Sequence, residues 1–395
     1  MVYLTTGASS GVSALLHVIC AGSTTGVLVP IPQYPLYTAT LAVLDARCVP
    51  YYLDEGKSWG TDLASIRAAL AQARAAGTDV RAIVVINPGN PTGASLAADE
   101  VAALLRFAAE ERLVVVADEV YQTNVFAGNA FHSFKKALRE LQAARPGAYD
   151  GVELASLHSI SKGMVGECGH RGGYFELVGF DPEVVAQIYK FVSIQLCPPV
   201  VGQCVVEMMV NPPKPGDDSY PLYKQEYDAI YDGLTQRANA LYEAFKQMEG
   251  VECQSPAVSP SPPPEHASTP SPPLPQRLSP TSTLPPSPPP PPPARPRAHA
   301  DPSPPPSPPQ GSMYLFPTIR LPRKAAAQAE REGRAPDDFY ALRLLDATGV
   351  CVVPGSGFGQ KEGTLHFRTT FLAPGTEWVA RIARFHQEFM DEFRD

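Results

Sequence analysis

The chain has 395 residues, enough for two domains and a sizeable core. Its formal net charge of −8, with no long basic run, argues against nucleic acid as the main partner. No apolar run reaches the roughly 18 residues that a membrane span needs. Seven cysteines, odd in number, scattered and without a CxxC pair, speak against a disulfide framework or a zinc site and point to a reducing compartment.

In chain order, Met1 leads almost directly into strand-like sequence, with no signal or transit peptide visible. Up to about residue 180, short apolar runs alternate with amphipathic stretches. The spacing predicts helices over Gly11–Ala21, Leu36–Asp45, Asp62–Ala75 and Ala97–Glu110. The apolar runs predict strands at Gly26–Val29, Cys48–Leu53, Ala82–Asn87, Leu113–Asp118, Glu153–His158 and Gly172–Leu177. Strands this uniformly apolar, separated by helices, imply an α/β fold with a mostly parallel sheet covered on both faces. Sites in such sheets form at the carboxyl ends of strands, which singles out Asn87 and Asp118. Tyr220–Met248 reads as one long helix. More than half of the 44 prolines lie in the following stretch, 254–310, which is read as a disordered insertion because proline lacks an amide donor and has a fixed φ. Ordered sequence resumes at Ser312–Pro317, and the chain closes in an amphipathic helix near Glu377–Phe393. The expected division is a large domain over 1–235 and a smaller α+β domain over 236–395 that carries the insertion.

Three segments carry chemistry. Ser159-Ile160-Ser161-Lys162-Gly163 follows a strand, and Arg171 lies nine residues beyond Lys162. An amine just after two serines, with a guanidinium in reach, suits a phosphorylated aldehyde: the amine forms the imine, and the hydroxyls and guanidinium hold the phosphate. Asn87-Pro88-Gly89-Asn90-Pro91-Thr92-Gly93 repeats Asn-Pro within seven residues, stiffer than a turn requires, and could fix an amide against a phenolate oxygen. The strand Leu113–Asp118 ends in a carboxylate, with Tyr121 three residues on. Asp118 reads either as a helix cap or as the partner of a ring nitrogen that it would keep protonated.

Together these segments resemble the fold-type-I pyridoxal-phosphate (PLP) aminotransferases, and within them the alanine aminotransferases. Further matching segments are Thr6-Gly7-Ala8-Ser9, Ile31–Tyr37, Gly166–Gly169, Asn211–Gly216, Val353–Gln360 and His366-Phe367-Arg368. The resemblance implies that Lys162 carries PLP as a Schiff base and serves as general base. It implies that Ala8, Ser9, Ser159 and Arg171 hold the phosphate, and that Tyr34 stacks on the ring. Asn90 and Tyr121 would bond the phenolic oxygen, Asp118 the ring nitrogen, and Arg368, with Asn90 beside it, the substrate carboxylate. The implied reaction moves an amino group from L-alanine to 2-oxoglutarate in a homodimer, in the cytoplasm, mitochondrion or peroxisome. Members of the family carry a long segment ahead of the Gly-Ala-Ser turn, which here starts at residue 7. The implied alternatives are glutamate:glyoxylate transamination, toward which Arg171–Glu176 leans, and an inactive shortened product.

Overall fold

The computed structural model describes residues 1–126, 130–253 and 311–394; the proline-rich stretch 254–310 lies outside the described residues. The first half builds one sheet. Its elements are β1 (Val2–Thr5), α1 (Ala8–Ile19), β2 (Thr25–Ile31), α2 (Leu36–Val43), β3 (Arg47–Tyr52), α3 (Leu63–Ala75), β4 (Asp79–Ile86) and α4 (Ala98–Glu111). They continue with β5 (Val114–Asp118), α5 (Phe134–Ala144), β6 (Leu154–Ser159) and β7 (Gly173–Val178). The strand order is β1-β7-β6-β5-β4-β2-β3. Strands β2 to β6 run parallel, while β7 is antiparallel to β6 and β1 antiparallel to β7.

The expected sheet is therefore present, and side-chain alternation explains its sequence. On β2, Val27 and Val29 face one core cluster with α1 and α2, while Leu28 faces another with α3, α4 and α5. On β4, Ala82 and Val84 join the first cluster, and Ile83 and Val85 the second. With both faces covered, successive positions are buried from residue 25 to 30 of β2 and from 82 to 85 of β4, so the runs there read as continuously apolar. Local signals set several helix starts: Asp62 accepts from the amide of Ala64 at 3.0 Å, and Asp181 from that of Glu183 at 2.7 Å. Helix α1 begins at Ala8 rather than Gly11, so the Gly-Ala-Ser turn itself is the helix start.

The second half is mostly helical: α6 (Pro182–Ile194), α7 (Val200–Val210) and α8 (Tyr220–Gln247) are followed by β8 (Val251–Glu252). After the undescribed stretch come β9 (Tyr314–Leu315), β10 (Thr318–Ile319), α9 (Arg323–Arg331), α10 (Pro336–Thr348), β11 (Val353–Pro354), β12 (Phe367–Thr370) and α11 (Glu377–Glu392). The expected boundary at 235/236 falls inside the continuous helix α8. A second core gathers Leu241 and Phe245 of α8, Tyr340 of α10, Phe367 of β12 and Phe389 of α11, and its aromatic rings meet mostly edge to face. Helix α6 starts with Asp181-Pro182, a legible start signal; α7 is rich in valine and holds a glycine, and propensity alone does not favour a helix there. Among the described residues no helix is long and apolar enough to cross a membrane.

Candidate active site

Sheet topology brings the site together. Because β2, β4, β5 and β6 are parallel, their carboxyl ends share one edge, and the reversal of strand order at β2 and β4 opens a crevice there. The loops carrying Tyr34, Asn90, Tyr121 and Lys162 leave from that edge. Strand β7 runs the other way, so its beginning, just after Arg171, reaches the same edge. Strand β1 reverses again and delivers Gly7 and Ala8 there.

The Lys162 amine donates to the Tyr314 hydroxyl at 3.5 Å and stands 5.5 Å from the centre of the Tyr121 ring. Tyr121 donates to the same Tyr314 oxygen at 3.3 Å. Ala8 packs against the small apolar cluster of Val120, Tyr121, Met313 and Tyr314, so the start of α1 adjoins the lysine. Arg368 completes the group: its guanidinium carbon lies 4.2 Å from the Tyr314 ring centre and 4.7 Å from that of Phe358, and it donates to Asn90 Oδ1 at 3.0 Å. The loop that carries Asn90 is pinned by Asn87, whose Oδ1 accepts from the amide of Leu96 at 2.9 Å. Both Asn-Pro bonds of this loop are cis.

Asp118 is buried at the end of β5. One carboxylate oxygen accepts from the Tyr37 hydroxyl at 2.8 Å and the other from the amide of Val120 at 3.4 Å. Burial raises its pKa above 3.8; the Tyr37 and Val120 bonds and the charge of Lys162 oppose this without cancelling it. Burial also holds the Tyr37 phenol well above its ordinary value, so that hydroxyl remains a donor. His158, buried on β6, is pushed down to about 4, chiefly by burial, and stays neutral. Tyr314 differs. Burial alone would raise its phenol, but Lys162, the Tyr121 hydroxyl and Arg368 together lower it.

At the other end, helix α1 starts at Ala8 behind Gly7, with no side chain capping it, which leaves its first amides open. Arg171 donates to the Thr6 carbonyl at 2.9 Å and to that of Cys168 at 2.9 Å. Gly7 has a φ of 83°, and a β-carbon there would stand 2.6 Å from an Arg171 nitrogen. A β-carbon on Gly173 would meet the Ala8 amide at 2.9 Å. These glycines let the guanidinium and the open amides share one small cradle, a setting suited to a phosphate. Ser159 is buried beside it, its hydroxyl donating to the Gly172 carbonyl at 3.2 Å and accepting from the amide of Ser161. Tyr34 is 40% exposed on the loop after β2, where its carbonyl accepts from the amide of Tyr37 at 3.4 Å; this local bond does not by itself bring its ring to the group.

Two residues of this site carried no role in the sequence reading, Tyr37 and Tyr314. Tyr37 ends one of the segments that resemble the family and Tyr314 lies in the stretch Ser312–Pro317, but only tertiary contact reveals Tyr37 under Asp118 and Tyr314 between Lys162 and Arg368. The residues fit PLP. An open helix end and an arginine suit its phosphate, a buried carboxylate suits a cationic ring nitrogen, and a lysine amine suits its aldehyde.

A model of the family described as aminotransferase class I and II matches residues 1–259. The chain belongs to the class I and II aminotransferases. Among curated members, the mitochondrial alanine aminotransferase of Saccharomyces cerevisiae is 46% identical over 394 residues, covering 100% of this chain and 58% of that protein. An alanine aminotransferase 2 of Panicum miliaceum is 42% identical over 398 residues, covering 100% of this chain and 71% of its own length. An inactive alanine aminotransferase of Saccharomyces cerevisiae is 44% identical over 394 residues, with 100% and 67% covered. Among solved aminotransferases, an alanine aminotransferase from Pyrococcus furiosus superposes with a TM-score of 0.69 at 22% identity, covering 98% of this chain and 76% of that one. An aminotransferase from Escherichia coli gives 0.70 at 20% identity, with 100% and 76% covered. These solved structures share the fold of this aminotransferase.

Proposed function

We propose that the protein is a PLP-dependent aminotransferase that moves the amino group of L-alanine to 2-oxoglutarate, giving pyruvate and L-glutamate. The observation that carries this reading is the convergence of Lys162, Asp118 and Arg368 on one sheet edge beside the open start of α1. The names and identities of the curated relatives support the choice of substrates.

In this reading PLP, when bound, acts as an electron sink for negative charge developing at the substrate's α-carbon. The amides of Ala8 and Ser9, with Arg171 and Ser159, hold its phosphate. Asp118, kept in place by Tyr37, faces the ring nitrogen, whose positive charge offsets the cost of burying the carboxylate. Asn90 and Tyr121 serve the phenolic oxygen, and Tyr34 covers the ring. Arg368 binds the α-carboxylate of each substrate; its two aromatic neighbours and Asn90 hold the guanidinium, leaving the donors that Asn90 does not use for the ligand. The Lys162 amine takes the proton that leaves the α-carbon and returns it on the cofactor side.

Residues 1–235 would form the cofactor domain and 236–395 the smaller domain that carries Arg368. The names of several relatives support a mitochondrial location. A homodimer is the proposed assembly.

The test is the visible absorbance of the purified protein mixed with PLP, before and after L-alanine. A lysine-bound cofactor band that bleaches with alanine and returns with 2-oxoglutarate is expected. Faster return with glyoxylate would move the assignment to glutamate:glyoxylate transamination. A folded protein with no band would align this chain with its inactive relative.

A further inference from the structure

Tyr314 touches both ends of the site. Strand β9 lies beside β12 with Thr370 opposite Tyr314, and Arg368 is two residues from Thr370 on the same strand. In an antiparallel pair this is the diagonal neighbour on the same face, within reach of a long side chain. The register thus presses the Tyr314 ring against the Arg368 guanidinium, 4.2 Å from ring centre to carbon. The phenol end points the other way in function: two donors, Lys162 at 3.5 Å and Tyr121 at 3.3 Å, converge on its one oxygen.

We propose that Tyr314 is a positioning residue with two separable jobs: its ring seats Arg368 for the substrate carboxylate, and its oxygen anchors the Lys162 amine between proton transfers. The inference rests on the cofactor reading above and goes beyond it by linking the two ends through one side chain. A phenol neighboured by a lysine, an arginine and a donating hydroxyl has its pKa lowered despite burial, which suits an oxygen used as an acceptor. The ring's job is electrostatic and steric, because a cation over an aromatic face is held without using any of its N–H donors. The donors that Asn90 does not take stay available to a carboxylate.

Two variants separate the jobs. Tyr314→Phe keeps the ring and removes the oxygen; Tyr314→Leu removes both. The probes are the pH midpoint of the lysine-bound cofactor band and the binding of propionate, a carboxylate with no amino or oxo group, read from its shift of that band. Tyr314→Phe is expected to bind propionate within about twofold of the unmodified protein, because the cation–ring contact is kept. It should lower the band's midpoint by about half a pH unit or more, because a protonated nitrogen loses an acceptor. Tyr314→Leu should show the same lowered midpoint and bind propionate about fivefold or more weakly, the scale of a lost cation–ring contact. An unchanged midpoint in Tyr314→Phe overturns the role of the oxygen. Unchanged propionate binding in Tyr314→Leu overturns the role of the ring. A folded unmodified protein that gives no band overturns the cofactor reading and this inference with it, an outcome distinct from a normal band that ignores both substitutions.

Discussion

Asp118 shows how a single residue can be arranged against its own stability. Burial raises its carboxyl above 3.8. The folded protein, in which burial outweighs the opposing Tyr37 and Val120 bonds and the Lys162 charge, therefore binds that proton more tightly than the unfolded chain. The resulting contribution to stability is complete below about pH 3.8 and is lost as pH rises through the folded value. Asp118→Asn should leave the melting temperature of the cofactor-free protein unchanged near the acid end and raise it by a few degrees above neutral pH, as thermal unfolding at two pH values would show. In the loaded protein the same change should lower kcat about 10²-fold or more, because a preorganised charge at the reacting centre is gone. Stability gained and activity lost in one variant would mark Asp118 as a functional carboxylate. Activity retained would leave it a simple cap of the strand end.

At the scale of elements, the start of α1 matters more than any one side chain in it. The helix has no side-chain cap, its first turn carries no acidic residue, and Arg171 crosses from β7's leading loop to lie against Gly7. An uncapped helix end beside a guanidinium suits an anion that uses both. Gly7→Ala should be costly there on two counts, a positive φ of 83° and a β-carbon 2.6 Å from Arg171. We expect PLP affinity to fall about tenfold or more as the charge-assisted contacts are lost. Fluorescence titration of the cofactor would measure this, with inorganic phosphate as competitor. An unchanged affinity would mean that the phosphate does not sit at this helix end.

For the whole molecule, the exposed apolar residues gather on the segment from α6 into α8. Ile194 is 76% exposed, Leu196 81% and Val200 72%, with Met208 and Leu222 also exposed. An apolar run left open on a chain of this length calls for a partner surface. If a second copy covers it, sedimentation of the full chain should give a dimer, and Leu196→Glu should shift it toward monomer without lowering its helical content. A monomer at micromolar concentration in the unmodified protein would rule that assembly out.

The sequence by itself determined the class of fold and named most of the residues that the structure brings to one edge of the sheet. Its apolar runs and helical periods locate the sheet to within a few residues, because strands buried on both faces have no other way to read. Its Lys162, Asp118, Asn90 and Arg171 stand in local patterns: a lysine just after two serines at a strand end with an arginine nine residues on, a strand ending in aspartate, a doubled Asn-Pro. Arg368 was legible only through resemblance, since an arginine on a short strand has no local signature. The roles of Tyr37 and Tyr314 were decided by tertiary structure alone. Tyr37 meets Asp118 across 81 positions, and Tyr314 meets Lys162 across 152. Periodicity reports which face of an element is buried; it says nothing of which distant side chain will be found there, and that is settled only when the strands choose their neighbours.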